Sequence, residues 1–224
     1  MRFDAAAFQN VTNVSRETLA AFESWHALLA ETNQTTNLVG RSTMDDFWKR
    51  HALDGFQLID HVPDNGKAWL DFGAGAGIPG IAIALAMRDR ALSDCALTLV
   101  ESVSKKARFI DASIKATGAP ARVINCRVEA LNGTHRFDVV TARAVAALDK
   151  LLMYSFPLLK TGGVCLFPKG QRYRQELTDA NKYWTFDVDV QPSLTSDEGV
   201  ILHISSIRPR KGNRHAAGFE RKSA

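Results

Sequence analysis

A glycine-rich segment after a short apolar run constrains the fold of this chain more than any other stretch. Residues 68–72 have the pattern of a buried strand, and Gly73-Ala74-Gly75-Ala76-Gly77-Ile78-Pro79-Gly80 follows directly. Glycines reach backbone angles that strain other residues, so such a loop lets a ligand approach the main chain closely. An alanine-rich helical pattern comes next, and its N-terminus would point at the ligand. The segment predicts a strand–loop–helix unit that binds a cofactor.

The rest of the chain alternates between strand-like and helix-like patterns. Strand-like runs lie at residues 68–72, 96–100, 121–126, 137–141, 164–168, 184–190 and 200–207, and helical patterns lie at 80–90, 104–117, 146–159 and 172–183. Such alternation is typical of right-handed βαβ units and a mainly parallel sheet. No helical pattern separates the last two strand-like runs, so we expect them to form an antiparallel hairpin. The prediction is a doubly wound α/β sheet of seven strands with this hairpin at one edge.

A helical extension is predicted before the sheet. Residues 1–14 show no periodicity, and we expect them to form a loose arm. From Ser15, a good N-cap, apolar residues recur every three or four positions, as in an amphipathic helix. A second helix is expected from about Thr43, weakened or bent at Gly55 and ended by residues 63–66. The chain then divides into an extension (1–66), a sheet domain (67–207) and a tail (208–224).

The basic residues of the chain are concentrated in that tail. Its six basic residues and one acid leave residues 1–207 with a net charge of −1, although the whole chain carries +4 at pH 7. A basic arm can contact a nucleic-acid backbone, and on this basis Arg208 and Arg210 are candidate RNA contacts. A solvated tail that aids solubility is an equal alternative.

Several classes of protein are not favoured by the sequence. It has no run of eighteen apolar residues and no signal-peptide core, so we expect a soluble cytoplasmic protein. Cys95, Cys126 and Cys165 stand too far apart for a metal-binding pair, and their odd number argues against a disulfide framework. No metal site is predicted.

The loop alone does not decide between two cofactors. Gly75 to Gly80 fit G-x-G-x-x-G, and Glu101 follows the second strand at the distance expected of a dinucleotide-binding acid. With either cofactor, Glu101 is expected to accept hydrogen bonds from ribose hydroxyls. Asp71, just before the glycines, would repel a pyrophosphate but tolerate a sulfonium and an ammonium group. Asp71 and the terminal hairpin favour S-adenosylmethionine, and an NAD(P)-linked oxidoreductase remains the alternative.

Several motifs occur together in an order that resembles one family, the RsmG proteins, also called glucose-inhibited division protein B. The motifs are Asn37-Leu38, Trp48-Lys49-Arg50-His51-Ala52-Leu53-Asp54, the loop from Asp71 to Gly80, Lys105-Lys106-Ala107-Arg108-Phe109, Thr141-Ala142-Arg143-Ala144 and Lys169-Gly170. The resemblance covers about residues 15–207. It implies a class I methyltransferase with a Rossmann-like fold, and we expect the protein to be a monomer. Such an enzyme transfers a methyl group from S-adenosylmethionine to N7 of a guanine, position 527 in the 530 loop of 16S ribosomal RNA.

The resemblance also assigns cofactor roles to residues of this chain. Gly73 and Ile78 would line the methionine and adenosine side of the loop that contains Gly75 and Gly77. Val128 and Glu129 would meet the adenine, and Arg143 completes the pattern. Gly55 departs from the family, which usually has serine there, and this departure leaves the role of its helix open.

Topology independently groups some of these residues. The loop at Gly73, Arg143 and Lys169 each follow a strand, so we expect them to rim one crevice at the switch point of the sheet. Guanine N7 has a free lone pair and needs no general base. We therefore assign no acid–base residue, and Arg143 is the candidate that positions the base or a phosphate.

The remaining RNA candidates have structural alternatives. Arg50 and His51 are candidates on the second helix, although Arg50 could form a surface ion pair with Asp54 and His51 could simply be packed. Lys105 and Lys106 form a basic turn near Glu101, or only the solvated side of a helix. A non-catalytic RNA-binding protein with a methyltransferase fold is the third functional alternative.

Overall fold

Seven strands form one sheet in a computed structural model that describes residues 3–62 and 66–213. They are β1 (Ala68–Phe72), β2 (Ala96–Val100), β3 (Ala121–Ile124), β4 (Phe137–Thr141), β5 (Leu159–Lys169), β6 (Trp184–Pro192) and β7 (Val200–Pro209). Their order across the sheet is β3-β2-β1-β4-β5-β7-β6. The first five strands pair in parallel, whereas β7 is antiparallel to both β5 and β6. The predicted sheet is confirmed, with its edge hairpin and a switch point between β1 and β4.

The helices cover both faces of the sheet and build the extension. The extension contains α1 (Ala5–Thr12), α2 (Arg16–Asn33), α3 (Arg41–Met44), a π-helix (Trp48–Leu53), α4 (Asp54–Phe56) and a 3₁₀ helix (Gln57–His61). The sheet domain contains α5 (Gly80–Asp89), α6 (Ser104–Thr117), α7 (Leu148–Ser155) and α8 (Tyr173–Ala180), with 3₁₀ helices at Val128–Leu131 and Phe156–Leu158. Among the residues described, no helix combines the length and apolar composition that a membrane span requires.

The expected loose arm at the N-terminus is wrong, because residues 5–12 form α1. Asp4 caps this helix by accepting a hydrogen bond from the Ala7 N–H at 2.9 Å. Phe8 is fully buried, and its ring lies 4.8 Å from that of Phe22 and 5.7 Å from that of Phe56. One buried residue anchors the helix, and a single anchor creates no period that a sequence pattern could show.

The second predicted helix is a series of short helical pieces rather than one α-helix. Gly55 permits close packing: a Cβ there would lie 2.6 Å from the Ala82 Cβ and 2.8 Å from the Pro79 carbonyl oxygen. The segment that contains Gly55 therefore lies directly against the start of α5. The last piece ends at His61, and residues 63–65, part of the predicted helix terminator, lie outside the described residues.

The core has two layers, one on each face of the sheet. One layer joins β1 to the extension, α5 and α6 through side chains such as Trp69, Trp25 and Ile81. The other packs Phe72 and Trp184 with α7 and α8. Because side chains of the extension pack in the same layer as those of β1 and α5, the extension is part of the main core. At the other end of the chain, β7 continues to Pro209, so Arg208 lies inside the strand rather than in the predicted tail.

Candidate active site at the switch point of the sheet

The glycine loop satisfies much of its own hydrogen bonding. The Ala74 N–H donates to the Val100 carbonyl at 3.1 Å, and the Gly77 and Ile78 N–H groups donate to the Ala74 carbonyl at 2.7 and 3.0 Å. A phosphate-binding loop instead keeps such N–H groups free for the anion. The shape of this loop therefore favours a wall against which a ligand packs over a cradle for pyrophosphate.

Asp71, at the end of the strand before the loop, is hydrogen-bonded to the start of α5. It is fully buried, and its carboxylate accepts hydrogen bonds from the Gly80 N–H and the Thr141 hydroxyl, both at 3.0 Å. Burial raises the pKa of Asp71 to about 7, against the smaller lowering effect of those two hydrogen bonds. The carboxylate lies beneath the loop without contact with solvent, and its predicted repulsion of a pyrophosphate stays a prediction. Its contact with a cofactor stays a prediction.

Glu101 holds the loop from the end of β2. Its two carboxylate oxygens accept hydrogen bonds from the Gly75 N–H at 2.9 Å and the Val103 N–H at 2.7 Å. An ionised carboxylate has about four acceptor sites, which leaves capacity for the predicted ribose hydroxyls. Gly75 has φ +59, and a Cβ there would meet only the Gly73 carbonyl oxygen, at 3.9 Å. The loop thus presents open space beside Glu101, as a bound nucleoside requires.

Val128 and Glu129 lie on the same side of the switch point. They begin the 3₁₀ helix that follows β3, with Val128 half-buried and Glu129 exposed. Asn125, just before them, donates to the Glu101 carbonyl at 2.7 Å. Because β1, β2 and β3 are parallel neighbours, their carboxyl ends bring the loop, Glu101 and this 3₁₀ helix to one edge of the sheet.

Arg143 follows β4 and is held by the extension. Its Nη1 donates to a carboxylate oxygen of Asp54 at 2.7 Å and to the Arg50 carbonyl at 2.5 Å. The alternative of a surface ion pair between Arg50 and Asp54 is not observed, since Asp54 pairs with Arg143. That alternative assumed α-helical spacing, whereas residues 48–53 are π-helical, Asp54 is buried and Arg50 is exposed.

His51 is a buried part of this arrangement. Its side chain is 1% exposed, which leaves no surface for the RNA contact proposed from the sequence. Burial, followed by the charge of Arg143, lowers the pKa of His51 to about 3, so the ring is neutral at pH 7. Its Nδ1 lies 3.1 Å from Nη2 of Arg143 and 3.0 Å from the Arg50 carbonyl oxygen, so the tautomer of the neutral ring decides whether Nδ1 accepts from Arg143 or donates to Arg50. The buried Nε2 has no partner among the described residues.

The loop of the terminal hairpin is fastened to the same helical segment. Thr195 donates to Asp54 at 2.8 Å, and the Leu194 N–H donates to the Gln57 side-chain oxygen, also at 2.8 Å. Gln57 in turn donates to the Ser193 hydroxyl at 3.2 Å. No local sequence pattern indicates these contacts, because the partners are more than 130 residues apart.

Lys169 lines the cleft, but its ammonium group forms an ion pair within the protein. Its Nζ donates to a carboxylate oxygen of Glu176 at 2.6 Å and to the Ala146 carbonyl at 3.2 Å. The same Glu176 oxygen accepts the Leu148 N–H at 2.9 Å, and the Lys169 side chain is 10% exposed. Lys169 therefore joins the end of β5 to the segment that follows β4, and its contact with RNA stays a prediction.

A cleft of about 740 Å³ lies beyond the carboxyl ends of β4 and β5. Its charged lining residues are Asp46, Arg50, Asp54, Arg143, Lys169 and Glu176. The loop of the terminal hairpin forms a further wall. On the other side of Arg143, the Val145 side chain covers Gly73, where an added Cβ would lie 2.5 Å from Val145 Cγ2. The cleft and the glycine loop thus both adjoin the segment that follows β4. The cleft lining contains Arg143 and Lys169, and the expected place of the loop in the same crevice stays a prediction.

The other candidate RNA residues lie away from this cleft. Lys105 is exposed and Lys106 half-buried at the start of α6, on the Glu101 side. Val200 pairs with Lys169 at the cleft end of β7, which places Arg208 at the opposite end of that strand. Arg210 donates its Nε–H to the Trp184 carbonyl at 3.2 Å. Residues 214–224 of the predicted basic tail lie outside the described residues.

Comparison with known proteins decides the family. The profile of the family described as GidB, rRNA small subunit methyltransferase G, matches residues 18–204. The chain belongs to this family. A ribosomal RNA small subunit methyltransferase G from Parvibaculum lavamentivorans is 39% identical over 95% of this chain and 93% of its own length. One from Methylobacterium sp. (strain 4-46) is 45% identical over 87% of this chain and 91% of its own length.

Solved structures of methyltransferases share the fold of this member of the rRNA small subunit methyltransferase G family. An O-methyltransferase from Bacillus cereus, in complex with SAH, superposes with a TM-score of 0.60 over 90% of this chain and 97% of its own, at 13% identity. A glycopeptide N-methyltransferase complexed with S-adenosyl-L-methionine gives a TM-score of 0.55 over 71% of this chain and 95% of its own, at 11% identity. The predicted class I fold is confirmed by these structures. The predicted S-adenosylmethionine-dependent methyltransferase is confirmed by membership of the family, and the oxidoreductase alternative is wrong.

Proposed function

We propose that this protein transfers the methyl group of S-adenosylmethionine to N7 of a guanine in 16S ribosomal RNA, position 527 in the 530 loop. The observation that carries the proposal is the junction at Arg143. Arg143 lines a cleft of about 740 Å³, and Val145, two residues later, packs against Gly73 of the glycine loop. A donor held by the loop would face a base placed in the cleft.

The cofactor side of the junction fits an adenosine-containing sulfonium. Gly75 offers open space, Glu101 keeps acceptor capacity for ribose hydroxyls, and Val128 offers a half-buried apolar surface for the adenine. Gly73 and Ile78 line the remaining part of the loop. When bound there, S-adenosylmethionine supplies an electrophilic methyl group.

The substrate side fits a reaction without proton removal. Guanine N7 carries a lone pair on the major-groove edge of the base and needs no general base. In the cleft, Asp54 is engaged by Arg143 and Thr195, and the nearby His51 is buried and neutral. The cleft thus holds Arg143 in a fixed orientation, which suits alignment of the base and stabilisation of charge.

We propose the small ribosomal subunit, or its free RNA, as the partner of a cytoplasmic monomer. Arg50 is exposed at the mouth of the cleft, and Lys105 lies on the adjoining edge of the sheet. Both suit phosphate contacts that position an RNA without reading its sequence.

Methyl transfer from labelled cofactor to small-subunit RNA of a deletion strain tests the proposal, with the product mapped by cleavage at 7-methylguanine. We expect one labelled guanine in the 530 loop with the wild-type protein and a large loss with Arg143→Ala. Label at another atom or another loop would contradict the proposal. RNA binding without affinity for S-adenosylhomocysteine would favour the non-catalytic RNA-binding alternative.

A further inference from the structure

The charges that line the cleft divide into two ion pairs and two remaining groups. Arg143 pairs with Asp54 at 2.7 Å, and Lys169 pairs with Glu176 at 2.6 Å. Asp46 and Arg50 complete the six charged residues of the lining. Their side chains form no hydrogen bond or ion pair with any side chain that the structure describes. The cleft therefore offers one carboxylate and one guanidinium for recognition.

These two groups have a fixed relation to each other. Asp46 lies in the turn between α3 and the π-helix, Arg50 lies in the π-helix, and the Arg50 N–H donates to the Asp46 carbonyl at 2.9 Å. Asp46 is half-buried, whereas Arg50 is exposed. Of the two groups, Asp46 is the less accessible to solvent, which suits contact with a base, and Arg50 is the more accessible, which suits contact with the RNA backbone.

A carboxylate in an RNA-binding cleft is unfavourable unless it contacts the RNA specifically, because it repels the phosphates of the RNA. The favourable partner for an ionised carboxylate is a pair of N–H donors, which it accepts side by side. Guanine is the RNA base whose Watson–Crick edge presents two adjacent donors, N1–H and the 2-amino group. Adenine and cytosine each place a ring-nitrogen acceptor next to their amino group, and this acceptor would face the carboxylate unfavourably.

We propose that Asp46 reads the Watson–Crick edge of the target guanine and so makes the enzyme specific for this base. Enzymes that modify a base remove it from the stack and read the exposed edge by hydrogen bonds. The N7 edge lies across the ring system from N1 and the 2-amino group, so a base held at Asp46 by one edge presents N7 away from that carboxylate. This assignment rests on the proposed function and adds the group that selects the substrate.

Inosine tests the assignment, because it differs from guanosine only by the absence of the 2-amino group. Full-length wild-type protein is compared with Asp46→Asn and Asp45→Asn. The substrate is small-subunit RNA, ligated from fragments so that the target position carries either guanosine or inosine. The measured quantity is the guanosine-to-inosine ratio of kcat/KM. Both substrates are assayed with one enzyme preparation, so partial unfolding of a variant cancels in the ratio.

We expect wild-type protein to prefer guanosine by about tenfold or more, since a hydrogen bond to a charged acceptor is lost with inosine. Asp46→Asn is expected to lower this ratio to about twofold, mainly through slower methylation of the guanosine RNA. Asp45→Asn removes the same charge from the neighbouring residue, which does not line the cleft, and is expected to keep the wild-type ratio.

Two results would overturn the assignment while the proposed function stands. One is a wild-type ratio near unity, and the other is an Asp46→Asn ratio equal to that of wild type. If the wild-type protein methylates neither RNA, the proposed function fails, and the role of Asp46 fails with it.

Discussion

Asp54 accepts a 2.7 Å hydrogen bond from Arg143, which lies 89 residues further along the chain. The other Asp54 oxygen accepts the hydroxyl of Thr195 at 2.8 Å. One carboxylate therefore joins the extension, the end of β4 and the loop of the terminal hairpin. All three segments contribute lining residues to the cleft.

A double-mutant cycle at this pair should show strong coupling. Asp54→Ala leaves a partly buried guanidinium without its partner, and we expect it to lower the free energy of unfolding by about 2 kcal/mol or more. In the Arg143→Ala background the same change should cost less, with a coupling energy of about 1–3 kcal/mol in urea titrations. The exposed pair Asp111–Lys115 is the control, with about 0.5 kcal/mol or less. Additive effects at Asp54 and Arg143 would contradict the joint role.

Alanine at Gly75 should harm cofactor binding more than folding. Its φ of +59 makes any side chain strained, and the added methyl would enter the open space beside Glu101. Gly133 is a matched control, with φ +84 and no atom within 4 Å of an added Cβ. Each variant should lose about 1–2 kcal/mol of stability, but only Gly75→Ala should weaken S-adenosylhomocysteine binding in calorimetry, by about tenfold or more. Equal losses of affinity would place the cofactor elsewhere.

The pKa of Asp71 predicts an unusual dependence of stability on pH. Its folded pKa of about 7 lies above the ordinary value of 3.8 for this side chain. Between these values the folded state holds a proton that the unfolded state has lost, so stability falls as pH rises and levels off above about 7. The Asp71→Asn variant has no titratable group at this position and serves as the reference. From pH 5 to 7, wild-type protein should lose about 2 kcal/mol relative to this variant in chemical denaturation, and parallel curves would refute the shift.

The lowered pKa of His51 predicts that its contribution to stability changes with pH in the opposite direction. Its folded pKa of about 3 lies below the ordinary value of 6.5 for this side chain, so the unfolded state gains a proton between these values while the folded state does not. Stability contributed by His51 is present above about pH 6.5 and is lost as pH falls towards 3. His51→Asn, which keeps an acceptor for Arg143, should therefore be less sensitive than wild type to acidification from pH 6.5 to 5, by about 2 kcal/mol. In wild-type protein the effects of His51 and Asp71 oppose each other over this range.

Removal of residues 214–224 tests the basic tail without cutting β7. The segment contains Arg214, Arg221 and Lys222 but only one acid, Glu220. If it contacts RNA, the truncated protein should bind more weakly, and the plot of log affinity against log salt should be flatter by about one unit per lost phosphate contact. A variant in which residues 214–224 are replaced by the same number of alanine and serine residues controls for chain length. An unchanged slope would show that the tail does not contribute.

Much of the fold was predictable because its central strands are buried on both faces and stand out as apolar runs. The predicted bounds of β2 and β4 agree with the structure, and α6 ends before Gly118, whose φ is +63, as the pattern indicated. The sequence missed α1, which depends on the single anchor Phe8. It also placed the start of β5 at residue 164 instead of Leu159, because the glycines at 162 and 163 resemble a turn.

The site was predictable only in part, for a physical reason. Glu101 and Arg143 could be assigned because each directly follows a strand, and parallel strands bring such positions together. The partners of Asp54, Gln57 and Lys169 are set by tertiary packing, which no local pattern encodes. Asp46 was missed because a carboxylate without a side-chain partner among the described residues can be recognised only once the structure shows its neighbours paired.

The glycine loop is fastened at Gly75 by Glu101 and at Gly80 by Asp71. Its shape is thus set when the chain folds, and little conformational entropy remains to be lost when a ligand arrives. Donor and demethylated product share the groups that contact the loop, so we expect the loop to hold both about equally well. Turnover would then depend on exchange of the spent molecule for a fresh one, and accumulated product should be an effective competitive inhibitor.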